Sequence, residues 1–111
     1  MRYKQGDIVL LPYPYTDFTQ TKQRPAIIIS RDEANYPNYI VAKITSVIRS
    51  DAFSFAILSA DLDRELIYNS EVRTNEIFTI NHRIIIKRFA SLNQNTLGST
   101  PFFVGNCKIL F

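Results

Sequence analysis

The strongest constraint on folding in this sequence is a series of short apolar runs, each broken within a few positions by turn residues. They cover 8–11, 25–30, 39–45, 53–58, 72–80 and 84–89 and are rich in Ile, Val, Tyr and Phe. Branched and aromatic side chains suit a pleated, half-buried surface. Short runs at this spacing predict several strands closing into a compact barrel or sandwich. Pro12 and Pro14 cannot donate to a ladder, so the first strand is expected to stop at Leu11. The second run is apolar throughout and reads as a central strand. Residues 15–23 are polar and predict a surface loop, and 32–38 predict a turn-rich connection. Helical signals are few: one turn over 62–66, and a short helix over 91–98 capped by Ser91 or Asn93. The expected class is mainly β (α+β).

The chain has 111 residues, which fits one domain over 1–111. A hydrophobic share of 46% argues against disorder. No apolar run approaches the roughly 18 residues of a membrane span, and the polar start has no signal-peptide core behind it. Cys107 is the single cysteine, which excludes an internal disulfide and a cysteine-based zinc site. A cytoplasmic protein with no membrane contact, no metal and no cofactor is expected. The net charge of +3 and pI near 9.2 favour a polyanionic partner only mildly, so folding must gather the charge onto one face if a nucleic acid is to bind. His82 is the single histidine, which excludes a two-histidine acid–base pair within one subunit. Asp61-Leu62-Asp63-Arg64-Glu65 lacks the glycine and terminal glutamate of a calcium loop and reads as a solvated helical turn.

Specific ordered motifs lie in Gly6-Asp7-Ile8-Val9-Leu10-Leu11-Pro12-Tyr13-Pro14-Tyr15-Thr16-Asp17, then Lys22-Gln23-Arg24-Pro25-Ala26-Ile27-Ile28-Ile29-Ser30. They continue in Ala42-Lys43-Ile44-Thr45-Ser46 and resume in Ser70-Glu71-Val72-Arg73-Thr74-Asn75-Glu76-Ile77-Phe78-Thr79-Ile80. Over most of residues 5–92 the chain resembles the PemK/MazF family of toxin endoribonucleases from toxin–antitoxin pairs. The resemblance implies a small, twisted antiparallel SH3-like barrel with short helices, usually homodimeric, that cuts single-stranded RNA without a metal. It also implies a cognate acidic antitoxin, and contact with operator DNA only through the antitoxin complex. The family's catalytic arginine, in its Arg-Pro pair, and the threonine ending its third strand map onto Arg24 and Thr45. The same fold also carries toxins that block DNA gyrase and cut nothing, and a non-catalytic RNA- or protein-binding barrel is the other alternative.

The chemistry of those residue types agrees with the resemblance. RNA carries its own nucleophile, the 2′-hydroxyl, so an enzyme must align it and stabilise a dianionic phosphorane. A guanidinium stays charged and offers a planar fork of donors to phosphate oxygens, and a threonine hydroxyl adds a short donor. Alone, Arg24 reads as a solvated or ion-paired side chain and Thr45 as an ordinary strand residue. Four further residues are candidates for RNA binding. Tyr15, with Tyr13, could stack on bases, and Lys22 could hold a phosphate. Ser46 is the hydroxyl beside Thr45, and Glu76 could accept from a base edge or stand as a solvated carboxylate. Loop 15–23 could act as a flap over RNA, and Arg73 with 82–88 as a phosphate track or an exposed strand face.

The family's terminal amphipathic helix is interrupted here by Gly98 and Pro101. Thr100 as cap with Pro101 at the first helical position could restart it, although Gly105 opposes it by about 1 kcal/mol. A packed terminal helix predicts that limited proteolysis leaves the chain intact past Leu97; rapid loss of everything beyond Leu97 rules that helix out.

Overall fold

A computed structural model describes residues 2–14, 21–64 and 69–93. Among the described residues six strands form one antiparallel sheet: β1 (Asp7–Pro14), β2 (Thr21–Ile28), β3 (Asn38–Thr45), β4 (Ser54–Ile57), β5 (Ser70–Asn81) and β6 (Lys87–Ser91). Their order across the sheet is β4-β5-β3-β2-β1-β6. The sheet curls into a half-barrel, as expected of the mainly β class. Single 3-10 turns at Asp32–Ala34, Ser59–Asp61 and His82–Ile84 supply the helical content of the described residues.

The apolar runs are explained by burial on both faces of the sheet. Ile8, Ile27, Ile29, Ala42, Ile44 and Val72 pack on one side with Ile57, Leu62, Ala90 and Leu92. Val9, Leu11, Ala26, Ile28, Tyr39, Val41, Ile80 and Ile85 pack on the other. Consecutive residues of a strand point to opposite faces, so Ile27-Ile28-Ile29 fills both cores, as a strand covered on both sides requires.

Five local expectations are corrected. β1 does not stop at Leu11 but runs through Pro12 and Pro14, which face Gln23 and Thr21 of β2. The reason is the direction in which the missing donors point. The Leu10 carbonyl accepts from the Ile86 N–H at the entry of β6, so by alternation Pro12 and Pro14 turn to the same side. β6 pairs with β1 only over Asp7–Leu10, which leaves that edge unladdered at both prolines. β2 accordingly begins at Thr21 rather than Pro25, taking three residues from the expected loop; residues 15–20 lie outside the described residues. Residues 62–64 form no helical turn, and a 3-10 turn sits earlier, at Ser59–Asp61; Leu62 is buried and bridges Leu92, and 65–66 of the expected turn lie outside the described residues. Asp63 is not merely solvated: it accepts from the Ser91 N–H and the Arg88 guanidinium, which holds its carboxyl below the ordinary range. Ser91 belongs to β6 and so caps no helix. The remainder of 91–98 from Gln94, with the segment around Thr100, lies outside the described residues.

Ile28 has no exposed surface. Ile28→Ala is expected to destabilise the fold by about 2–5 kcal/mol, read as a lower urea midpoint at unchanged slope.

Candidate functional site

The strand register gathers polar residues into two rows across one face of the sheet. Ala26 pairs with Lys43 across β2 and β3. Arg24 lies two residues before Ala26 on β2 and Thr45 two residues after Lys43 on β3, so alternation places both on the face of that pair. Leu11 pairs with Arg24, Thr45 with Glu71 and Glu71 with Ala56, completing the first row. The second row runs Val9, Ala26, Lys43, Arg73 and Ser54. Residues directly opposite in an antiparallel pair project from the same face. Arg24, Lys43, Thr45, Ser54, Glu71 and Arg73 therefore share one face, beyond the end of the Val9–Leu11–Ala26–Ile28–Val41 core.

Charge on that face is concentrated in a buried network. Glu71 is 2% exposed and Arg73 3%. The Arg73 guanidinium forms a fork with Asp51, Nη1 to Oδ1 at 2.9 Å and Nη2 to Oδ2 at 3.0 Å. Its Nη1 also lies 2.9 Å from Ser54 Oγ and 2.9 Å from Glu71 Oε2. The Ser54 hydroxyl donates to Glu71 Oε2 at 2.7 Å. Buried charges persist when paired and hydrogen-bonded in this way. The expected exposed or phosphate-tracking role of Arg73 is thus corrected: its donors are turned inward, to carboxylates that the segment after β3 and β5 itself supply.

These contacts fix the protonation states. The Arg73 fork, the Phe53 N–H and Ser54 lower Asp51 from its ordinary value of 3.8 to about 2. Ser54, Arg73 and the Ser50 and Arg49 N–H groups lower Glu71 from 4.5 to about 2 against the opposing effect of burial. Asp51 and Glu71 in turn hold Arg73 protonated well above its ordinary range.

A bulge completes the arrangement. β5 shifts register between the Ala42–Ile77 and Lys43–Arg73 pairs, so 74–76 have no partner on β3. Glu76 returns over the second row, 3.5 Å from Lys43 Nζ and 3.5 Å from Arg73 Nε. It is exposed but bridges two cations, rather than standing as a merely solvated carboxylate.

The sequence candidates divide accordingly. Arg24, half-buried on β2, and Thr45, half-buried at the end of β3, come together on one face. Ser46 follows as an exposed residue outside the strand. The backbone of Lys22 pairs with Tyr13 of β1, and Tyr15 lies outside the described residues. Glu71, Asp51 and Ser54 were not anticipated. Glu71 and Arg73 stand two apart in a strand and must share a face, which is the one signal that hinted at an ion pair.

The resulting half-barrel is similar to a solved structure, the Mycobacterium tuberculosis toxin MazF-mt6. The TM-score is 0.62 at 20% identity, over 91% of this chain and 96% of that one. The family model of PemK-like, MazF-like toxins of type II toxin–antitoxin systems matches residues 4–99. The chain belongs to that family. No curated protein gives a significant match. No helix among the described residues is long and apolar enough to cross a membrane, and no group of three or more His, Cys, Asp or Glu among them could hold a metal.

The two depressed carboxylates make a signed prediction. A carboxyl whose folded value lies below its unfolded value stabilises the fold fully above the unfolded value and loses that effect as pH falls through the folded one. The contribution of Asp51 and Glu71 is therefore constant above their ordinary values of 3.8 and 4.5, and disappears as pH falls toward about 2. Urea unfolding across this range should show less loss in Glu71→Gln than in wild type. Equal acid sensitivity in the two proteins contradicts the network.

Proposed function

We propose that this chain is a single toxin domain over 1–111 acting as a metal-independent endoribonuclease on single-stranded RNA. The 2′-hydroxyl gives up its proton to solvent and bonds to the adjacent phosphorus, the P–O5′ bond breaks, the 5′ oxygen takes a proton from solvent, and the products are a 2′,3′-cyclic phosphate and a 5′-hydroxyl. Arg24 and Thr45 are the catalytic residues in this reading. The guanidinium offers fixed positive charge and a planar fork to the phosphorane oxygens as their charge develops, and the Thr45 hydroxyl donates to the same group. Membership of the toxin family and the strand alternation that puts both residues on one face, each two positions from the Ala26–Lys43 pair, support the assignment.

Tyr15, Lys22, Ser46 and Glu76 are the proposed RNA contacts: a stacking face, a phosphate cation, a second hydroxyl, and an acceptor for a base edge. Their chemistry suits a single strand, whose bases are open to stacking and edge recognition. Glu76 would exchange part of its pairing with Lys43 for the base. The toxin family also supports a cognate antitoxin as partner. We propose an acidic antitoxin that folds across the RNA groove and competes for it. The toxin itself is proposed to be a cytoplasmic homodimer that meets operator DNA only through the antitoxin complex.

The test uses purified protein, freed of any antitoxin, and a long single-stranded RNA in EDTA. Discrete fragments with cyclic-phosphate ends are expected from wild type. Arg24→Ala should cut more slowly by about 10²–10³-fold, the usual loss for one oxyanion donor. Intact RNA with folded wild-type protein would overturn the reading in favour of a non-cutting toxin of the same fold.

A further inference from the structure

We infer that Glu71 is a positioning residue for the Thr45 hydroxyl, an inference that rests on the endoribonuclease reading above. Glu71 is the cross-strand partner of Thr45 and is almost wholly buried. Its two oxygens face different parts of the chain. Oε2 accepts from Ser54 of β4 and Arg73 of β5. Oε1 accepts from the successive backbone N–H groups of Arg49 and Ser50, at 3.1 and 3.3 Å. Successive N–H groups converging on one anion form a concave backbone nest. Ser50 takes a φ of 50° there, a left-handed conformation uncommon outside glycine.

This carboxylate therefore ties the segment leaving Thr45 to the sheet. Burial does not hold that segment, since Val47 and Ile48 are 62% and 50% exposed. At its start the Val47 N–H donates to Thr45 Oγ1 at 3.1 Å. A hydroxyl has one O–H and two lone pairs. With Val47 on one lone pair, the Thr45 oxygen is fixed in orientation while its O–H stays available to donate to a phosphate. Glu71 sets the nest, the nest sets residues 46–50, and the Val47 N–H sets the hydroxyl. Glu71 touches no substrate in this scheme.

The experiment compares wild type, Glu71→Ala and Glu71→Gln by steady-state cleavage of single-stranded RNA in EDTA, and by amide hydrogen exchange. Glu71→Ala is expected to lower kcat by about 100-fold, the scale of an angstrom-sized misplacement. KM should stay within about twofold, because the interaction lost is one made in the transition state. Exchange at Val47, Arg49 and Ser50 should accelerate while Ile27 and Ile28 stay protected. Glu71→Gln, whose amide oxygen serves either the nest or the Arg73–Ser54 side but not both, should lose only about 10-fold.

A folded Glu71→Ala with wild-type kcat overturns the inference, as does a lower kcat without faster exchange at Val47. If Glu71→Ala does not fold, Glu71→Gln decides by the same two readouts. Wild-type protein that leaves RNA intact defeats the endoribonuclease reading instead. In that case exchange at Val47 in the variant still tests the positioning, and an unchanged rate rejects it.

Discussion

The buried pair of Glu71 and Arg73 is the interaction on which the polar face depends. Neither charge could remain there alone, because removing an ion from water costs more than a lone neighbour returns. The surroundings meet that requirement in full for Glu71, with two side-chain and two backbone donors. Arg73 is held by the Asp51 fork and leans toward Glu76. The partners come from three stretches of chain: the segment after β3, the start of β4, and β5 on both sides of its bulge. One ion pair thus fastens the β3–β4 connection to β4 and β5, and the end of β3 that carries Thr45 lies beside it.

The rest of the fold delivers strands to that pair. A sheet covered on both faces needs apolar residues at successive positions, and the end of β2 with the residue after it supplies them from Ala26 to Ile29. Toward Arg24 the packed face gives way to polar residues, and the rows pass from core to site without a change of strand. A site built on paired strands inherits their rigidity. The relation of Arg24 to Thr45 is therefore a property of sheet register, while the orientation of the hydroxyl belongs to the segment that follows.

Much of this was legible in the residues. Five of the six apolar runs fall on strands in order, because branched side chains in short runs suit a sheet, while the run 84–89 enters β6 only from Lys87, after a 3-10 turn that ends at Ile84. Arg24 and Thr45 were marked by resemblance and fell on one face because the β2–β3 register allows it. The end of β1 and the start of β2 are not legible in the residues, because a proline breaks a ladder only where a neighbour needs its N–H, and that depends on the reach of β6. The burial of Glu71 and Arg73 was hidden for a related reason. Alternation assigns polar residues to an open face, and nothing local in 70–80 reveals that Asp51, about twenty residues upstream, folds back to cover it.

The central claim is that Arg24 and Thr45 meet one phosphate of the RNA on this face. The most direct measurement is a crystal structure of the protein with an oligoribonucleotide whose cut-site 2′-hydroxyl is methylated, which removes the nucleophile and traps the bound strand. The account predicts the scissile phosphate within hydrogen-bond distance of both the Arg24 guanidinium and Thr45 Oγ1, with the Val47 N–H still on that oxygen. A phosphate bound away from these two residues would contradict it.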